Sequence, residues 1–146
     1  MRRLLIAVCI IFFIQQAGWA QAPRRYERSL KRKSQNKFIV YVPQNYEPQK
    51  AYPLLIAVHQ KGGPAIDQYN QWNFLANRDH YILLCPQFFG GYELFKSDED
   101  QNLIAMMREM KDEFKYVPQK VFLVGFSTGA EFVQHFIFEH PGLITA

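Results

Sequence analysis

From residue 38 onward, short apolar blocks alternate with stretches whose apolar positions recur at helical spacing. Phe38-Ile39-Val40-Tyr41-Val42 is β-branched and aromatic and stops at Pro43, which predicts a strand. Gln44 to Pro53 is polar, carries two prolines and reads as a connection. Leu54 to Val58 is apolar without alternation, as expected of a strand covered on both faces in a parallel sheet. Tyr81 to Cys85, ended by Pro86, repeats the pattern, and Val121-Phe122-Leu123-Val124 repeats it again. Between these blocks, Ile66, Tyr69, Trp72, Leu75 and Ala76 predict a helix entered at Pro64 and running to about Arg78. Leu103, Met106, Met107, Met110 and Phe114 form one face of a second helix, opened by Ser97-Asp98-Glu99-Asp100. Its methionines stand at core spacing and read as packing, with no metal site. Phe132, Val133, Phe136 and Ile137 mark a third. Strand and helix in alternation predict an α/β domain, a doubly wound and mostly parallel sheet.

The junction of the last strand and helix is the most informative stretch. Val124 is followed directly by Gly125-Phe126-Ser127-Thr128-Gly129, and helical periodicity starts at once. Strand, G-x-S-x-G and helix in that order form the turn that projects a nucleophilic serine, and the positions two before and two after it leave almost no room for a side chain. The helix points its positive end at Ser127, which favours negative charge developing beside the hydroxyl. The plainer reading is an ordinary strand-to-helix turn with an exposed serine.

Two other loops leave the carboxyl ends of predicted strands. His59-Gln60-Lys61-Gly62-Gly63-Pro64 follows the first buried strand, and its glycine pair permits a sharp turn that brings backbone N–H groups close to a ligand. Gln87 to Phe95 holds four aromatics; in a doubly wound sheet such a loop borders the ligand crevice. Phe88, Phe89 and Tyr92 either line a substrate pocket or close the core beneath the loop.

Composition narrows the class. At 146 residues, 49% apolar and 16% aromatic, the chain is globular. Arg2 and Arg3, the apolar run Leu4–Ile14 and Gly18-Trp19-Ala20 predict a signal peptide over residues 1–20, cut after Ala20, and therefore a secreted or periplasmic protein with no stable membrane anchor after cleavage. Cys85 is then the one cysteine of the mature chain, in an apolar run that predicts a buried thiol. The net charge of +4 hides an asymmetry: residues 24–37 hold seven cations and one acid, and residues 38–146 hold eight cations and twelve acids. Residues 21–37 thus read as a basic leading segment ahead of a domain spanning 38–146. That segment is either solvated, including an edge strand around Ser29 to Lys31, or an arm for anionic polymer or membrane. Nothing in its pattern suggests a nucleic-acid partner, and oligomeric state is not legible.

FIVYVPQNY, YPLLIAVHQKGG, YILLCPQ and FKYVPQKVFLVGFSTG together resemble the α/β-hydrolase superfamily, with the nearest likeness to secreted poly(3-hydroxybutyrate) depolymerases and feruloyl esterases. The likeness spans roughly residues 36–142. It implies a serine hydrolase of carboxylic esters or short polyesters, without cofactor. Ser127 would be the acyl-accepting nucleophile, and the N–H groups of Thr128 and of Gln60 or Lys61 the oxyanion hole. Many members have glycine where this chain has Gln60. His59 would brace its loop and not act as base. The resemblance also expects an acid and a histidine later in the chain than the serine. Only nineteen residues follow Ser127; His135 lies about 12 Å along the helix at 1.5 Å per residue, His140 lies farther, and Glu131 and Glu139 ride the same helix. The expectation is a domain truncated after the elbow helix, inactive by itself. Other readings are a non-catalytic exported binding protein on the same scaffold and, more weakly, a peptidase of the superfamily.

Overall fold

A computed structural model describes residues 24–89 and 98–146. Five strands, β1 (Arg25–Ser29), β2 (Lys37–Tyr41), β3 (Tyr52–Val58), β4 (Ile82–Pro86) and β5 (Tyr116–Gly125), form one sheet in the order β1-β2-β4-β3-β5. Three helices accompany them: α1 (Ala65–Arg78), α2 (Glu99–Phe114) and α3 (Thr128–Glu139), the last followed by a short 3₁₀ turn at Pro141–Leu143. β4, β3 and β5 are parallel, whereas β1 pairs with β2 and β2 with β4 antiparallel, so the sheet is mixed.

The unbroken apolar runs have a direct cause. Leu54, Ile56 and Val58 of β3 point to one face, where Leu103, Met106 and Met110 of α2 and Phe132 and Phe136 of α3 cover them. Leu55 and Ala57 point to the other, under Ala65 and Ala76 of α1. Successive strand residues face opposite ways, so a sheet with helices on both sides needs apolar residues at every position.

The helices match the expected spans within a residue or two. β5 is longer than its apolar run. Its first part pairs Tyr116 with Tyr52, but Leu54 already pairs with Val121, so Val117 to Lys120 bulge outward. Pro118 has no N–H to give the ladder, which suits it to a bulge. The edge strand lies at Arg25–Ser29, upstream of the expected Ser29 to Lys31, because Leu30 to Asn36 closes a turn instead: Leu30 N–H donates to Asn36 O at 3.0 Å. The basic stretch thus belongs to the sheet, and its charges meet the acids of α2. Arg28 contacts Glu113 at 2.8 Å, Lys33 contacts Asp98 at 3.4 Å, and the Lys31 N–H donates to Glu109 at 3.0 Å. The predicted signal peptide and Tyr92 lie outside the described residues.

At the outer edge of β5, Thr145 and Ala146 run alongside the strand. Thr145 N–H donates to Val121 O at 2.7 Å and Leu123 N–H to Ala146 O at 2.8 Å.

Candidate active site

Because β3, β4 and β5 are parallel, their carboxyl ends bring the three loops to one end of the sheet. Ser127 sits there, exposed, between β5 and α3, at φ 54° and ψ −124°. Positive φ is unusual for any residue but glycine, and strain of this kind costs on the order of 1–3 kcal/mol, sustained only where the surroundings dictate it. The surroundings here are visible. A Cβ on Gly125 would come within 2.3 Å of Gly129 O, and one on Gly129 within 2.6 Å of both Val58 O and His59 O. α3 is therefore seated directly on the end of β3 and on the turn below it, through two glycines. Phe126 N–H donates to Val58 O at 3.2 Å, fastening the approach to the turn.

The loop after β3 is braced from within. His59 is buried. Its Nε2 accepts the Phe88 N–H at 3.1 Å, so the proton resides on Nδ1, which donates to Gln60 O at 2.6 Å. Burial holds the imidazole below its usual pKa and hence neutral, with the hydrogen bond to Gln60 and the more distant Glu99 and Asp67 opposing the shift. Gln60 O also accepts the Gly63 N–H at 2.9 Å, and Gly62 takes up the turn at φ 74°. Gln87 locks the next loop, its Oε1 accepting the Ala65 N–H at 2.7 Å and its Nε2 donating to Gly63 O at 3.2 Å.

The loop after β3 meets the first residue of α3 in a polar contact that sequence reasoning missed: Lys61 N–H donates to Thr128 Oγ1 at 2.6 Å. Spacing along the chain carries no signal for it, since the two residues are 67 positions apart. Gln60, Lys61 and Thr128, the residues singled out for their N–H groups, are thus neighbours at the elbow. Phe88 is buried, ring to ring with Phe132 at 5.0 Å, whereas Phe89 is 70% exposed. Both border a cavity of about 840 Å³ that also touches Gly62, Gly63, Lys37 and Arg28.

The remaining histidines are placed away from the serine or engaged elsewhere. His80 follows α1 at the opposite end of the sheet, just before β4. His140 contacts Asp100 at 3.4 Å and packs on Phe136, and His135 stands two turns along α3. No group of three or more potential metal ligands occurs among the described residues. The Cys85 thiol is fully buried, and desolvation drives its pKa far up.

No family model matches the sequence. A bifunctional acetylxylan esterase/xylanase from Neocallimastix patriciarum is 29% identical over 101 residues, which cover 66% of this chain and 15% of that protein. Among solved structures, the acetyl xylan esterase from Aspergillus awamori superposes with a TM-score of 0.69 at 17% identity, over 85% of this chain and 50% of its own. A poly(3-hydroxybutyrate) depolymerase from Bordetella parapertussis superposes with a TM-score of 0.61 at 17% identity, over 88% of this chain and 49% of its own. The chain thus spans about half the length of these two solved structures. With its sheet order, its helices on both faces and its strand-turn-helix at Ser127, this chain has the α/β-hydrolase fold, over part of that fold's length.

Proposed function

We propose that this chain carries the nucleophile and oxyanion-binding part of an exported serine esterase, one that cleaves carboxylic esters on a polymer or short polyester. The observation that carries the reading is Ser127, exposed on a positive-φ turn between β5 and α3 and wedged there by two glycines without room for a Cβ. The esterases of similar fold and the distant acetylxylan relative support the substrate class. The run of apolar residues from Leu4 to Ile14 behind Arg2 and Arg3 supports export.

In this reading the Ser127 hydroxyl gives its proton to a histidine supplied from elsewhere in the full-length protein, while its oxygen bonds the ester carbonyl carbon. The carbonyl oxygen becomes an oxyanion, held by backbone N–H groups at the start of α3 and in the loop after β3. Collapse expels the alcohol, which takes the proton from the histidine and leaves an acyl group on Ser127. Water, deprotonated by the same histidine, then attacks the acyl carbon, and collapse releases the acid as the histidine returns the proton to the Ser127 oxygen. His59 has no part in these transfers, because both ring nitrogens are engaged in bracing the loop.

The test is made on the full-length protein. A fluorophosphonate probe should label Ser127, and Ser127→Ala should abolish labelling and lower kcat on p-nitrophenyl acetate by roughly 10⁶-fold, as serine knockouts in such triads do. Near-normal turnover by the alanine variant would rule out Ser127 as the nucleophile, and absence of both labelling and turnover in the parent would leave the scaffold as a binding protein.

A further inference from the structure

Resting on that esterase reading, we infer that the Thr128 side chain occupies the oxyanion position of the resting site and must rotate away for substrate to bind. Gly129 N–H is spent on Phe126 O at 2.9 Å, Ala130 N–H on Ser127 O at 2.8 Å, and Gly63 N–H on Gln60 O at 2.9 Å. Lys61 N–H is spent on Thr128 Oγ1 at 2.6 Å. The Thr128 N–H, at the first position of α3, has no acceptor within its own helix.

An acceptor oxygen at 2.6 Å from Lys61 N fills the place that a substrate oxygen would take to receive that N–H. The occupant belongs to the residue whose own N–H is the other candidate donor, so the hydroxyl competes with a substrate oxygen for the Lys61 N–H. A backbone amide turned towards an empty site must otherwise be satisfied by water. Here a side chain does it, and the same contact keeps the loop after β3 aimed at the elbow. The contact is possible because Gly129 lets α3 rest on Val58 O and His59 O, which brings the loop and the start of α3 within side-chain reach. A substrate carbonyl must displace the hydroxyl by rotation about χ1, and the displaced hydrogen bond is subtracted from transition-state binding. A neutral hydrogen bond has a net worth of about 0.5–1.5 kcal/mol. Its removal should therefore act on the rate by roughly 2- to 10-fold.

The experiment compares Thr128→Ala and Thr128→Ser in the full-length enzyme. Thr128→Ala should raise kcat/KM for p-nitrophenyl acetate by roughly 2- to 10-fold and tighten a trifluoromethyl ketone inhibitor by a similar factor, since both depend on a vacant oxyanion position. Thr128→Ser keeps the competing hydroxyl and should lack the gain shown by Thr128→Ala. Amide hydrogen exchange at Lys61 should be slow in the parent and in Thr128→Ser and fast in Thr128→Ala, a readout independent of turnover. An unchanged or lowered kcat/KM in Thr128→Ala, or unaltered exchange at Lys61, overturns the inference. Failure of the esterase reading itself shows separately, as undiminished turnover in Ser127→Ala.

Discussion

Gly125 and Gly129 show how a single hydrogen in place of a methyl decides a site. Each faces backbone carbonyl groups that cannot move without moving a strand or helix, with contacts of 2.3–2.6 Å to a hypothetical Cβ. Gly125→Ala or Gly129→Ala should therefore push α3 off the end of β3, with loss of fluorophosphonate labelling beyond any loss of stability. Probe labelling measured on protein that still melts cooperatively separates the two effects. His59 acts at the same scale by staying neutral. Its pKa is lowered by burial in the folded state, so the unfolded chain binds the proton more readily. The stability it contributes is whole above about pH 6.5, the unfolded value, and is lost as pH falls from there through the lowered folded value. Urea denaturation between pH 8 and 5 should show this loss, and His59→Gln should be less stable at pH 8 but lack that share of the pH dependence. Protonation would also break the bond from Phe88 N–H to Nε2, so acid should loosen the loop beside the elbow first.

Elements were the most legible scale in this sequence, for a reason specific to its architecture. Helices on both faces leave β3 from Leu54 onward and all of β4 buried, so these runs contain no polar residue to blur the boundaries. The elbow was legible because its geometry demands glycine at fixed offsets from the serine. What escaped was set by partners distant in the chain. β1 alternates partly buried and exposed positions and is rich in arginine, so it resembled a solvated segment; its place in the sheet depends on pairing with β2 and on the acids of α2. The bulge of β5 reflects mismatch with β3, and the contact between Lys61 and Thr128 joins a loop to the start of α3. Those exposed ion pairs contribute little each, typically up to about 1 kcal/mol. The apolar contact of α2 with the sheet matters more. Met110 is 1% exposed within the cluster of Leu103, Met106 and Phe114, so Met110→Ala should cost about 2–5 kcal/mol, read as a lower denaturation midpoint at unchanged slope.

At the scale of the whole molecule, one side of the sheet is closed by charge and the other is not. β1 carries Arg25, Glu27 and Arg28 along its edge, and charges of this kind discourage pairing with another chain. On the opposite side β5 is engaged by Thr145 and Ala146 near Val121 and Leu123, while Phe126, directly after the strand, is 57% exposed and Phe138, near the end of α3, is 76% exposed. An apolar edge of this kind is a template for further strand pairing or for association. The solved structures of similar fold are about twice as long, so they have chain to place against such an edge. A polypeptide of residues 21–146 alone should accordingly bind an apolar dye such as ANS and elute as associated species at micromolar concentration. It should also hydrolyse p-nitrophenyl acetate no faster than the buffer, because its serine lacks a histidine positioned to take the proton. Gel filtration with light scattering and an ester assay on the same fraction decide the matter. A monodisperse monomer with a cooperative melt would show that the β5 edge needs no cover. Ester turnover that disappears in Ser127→Ala would show that one of the histidines in hand reaches the serine after all.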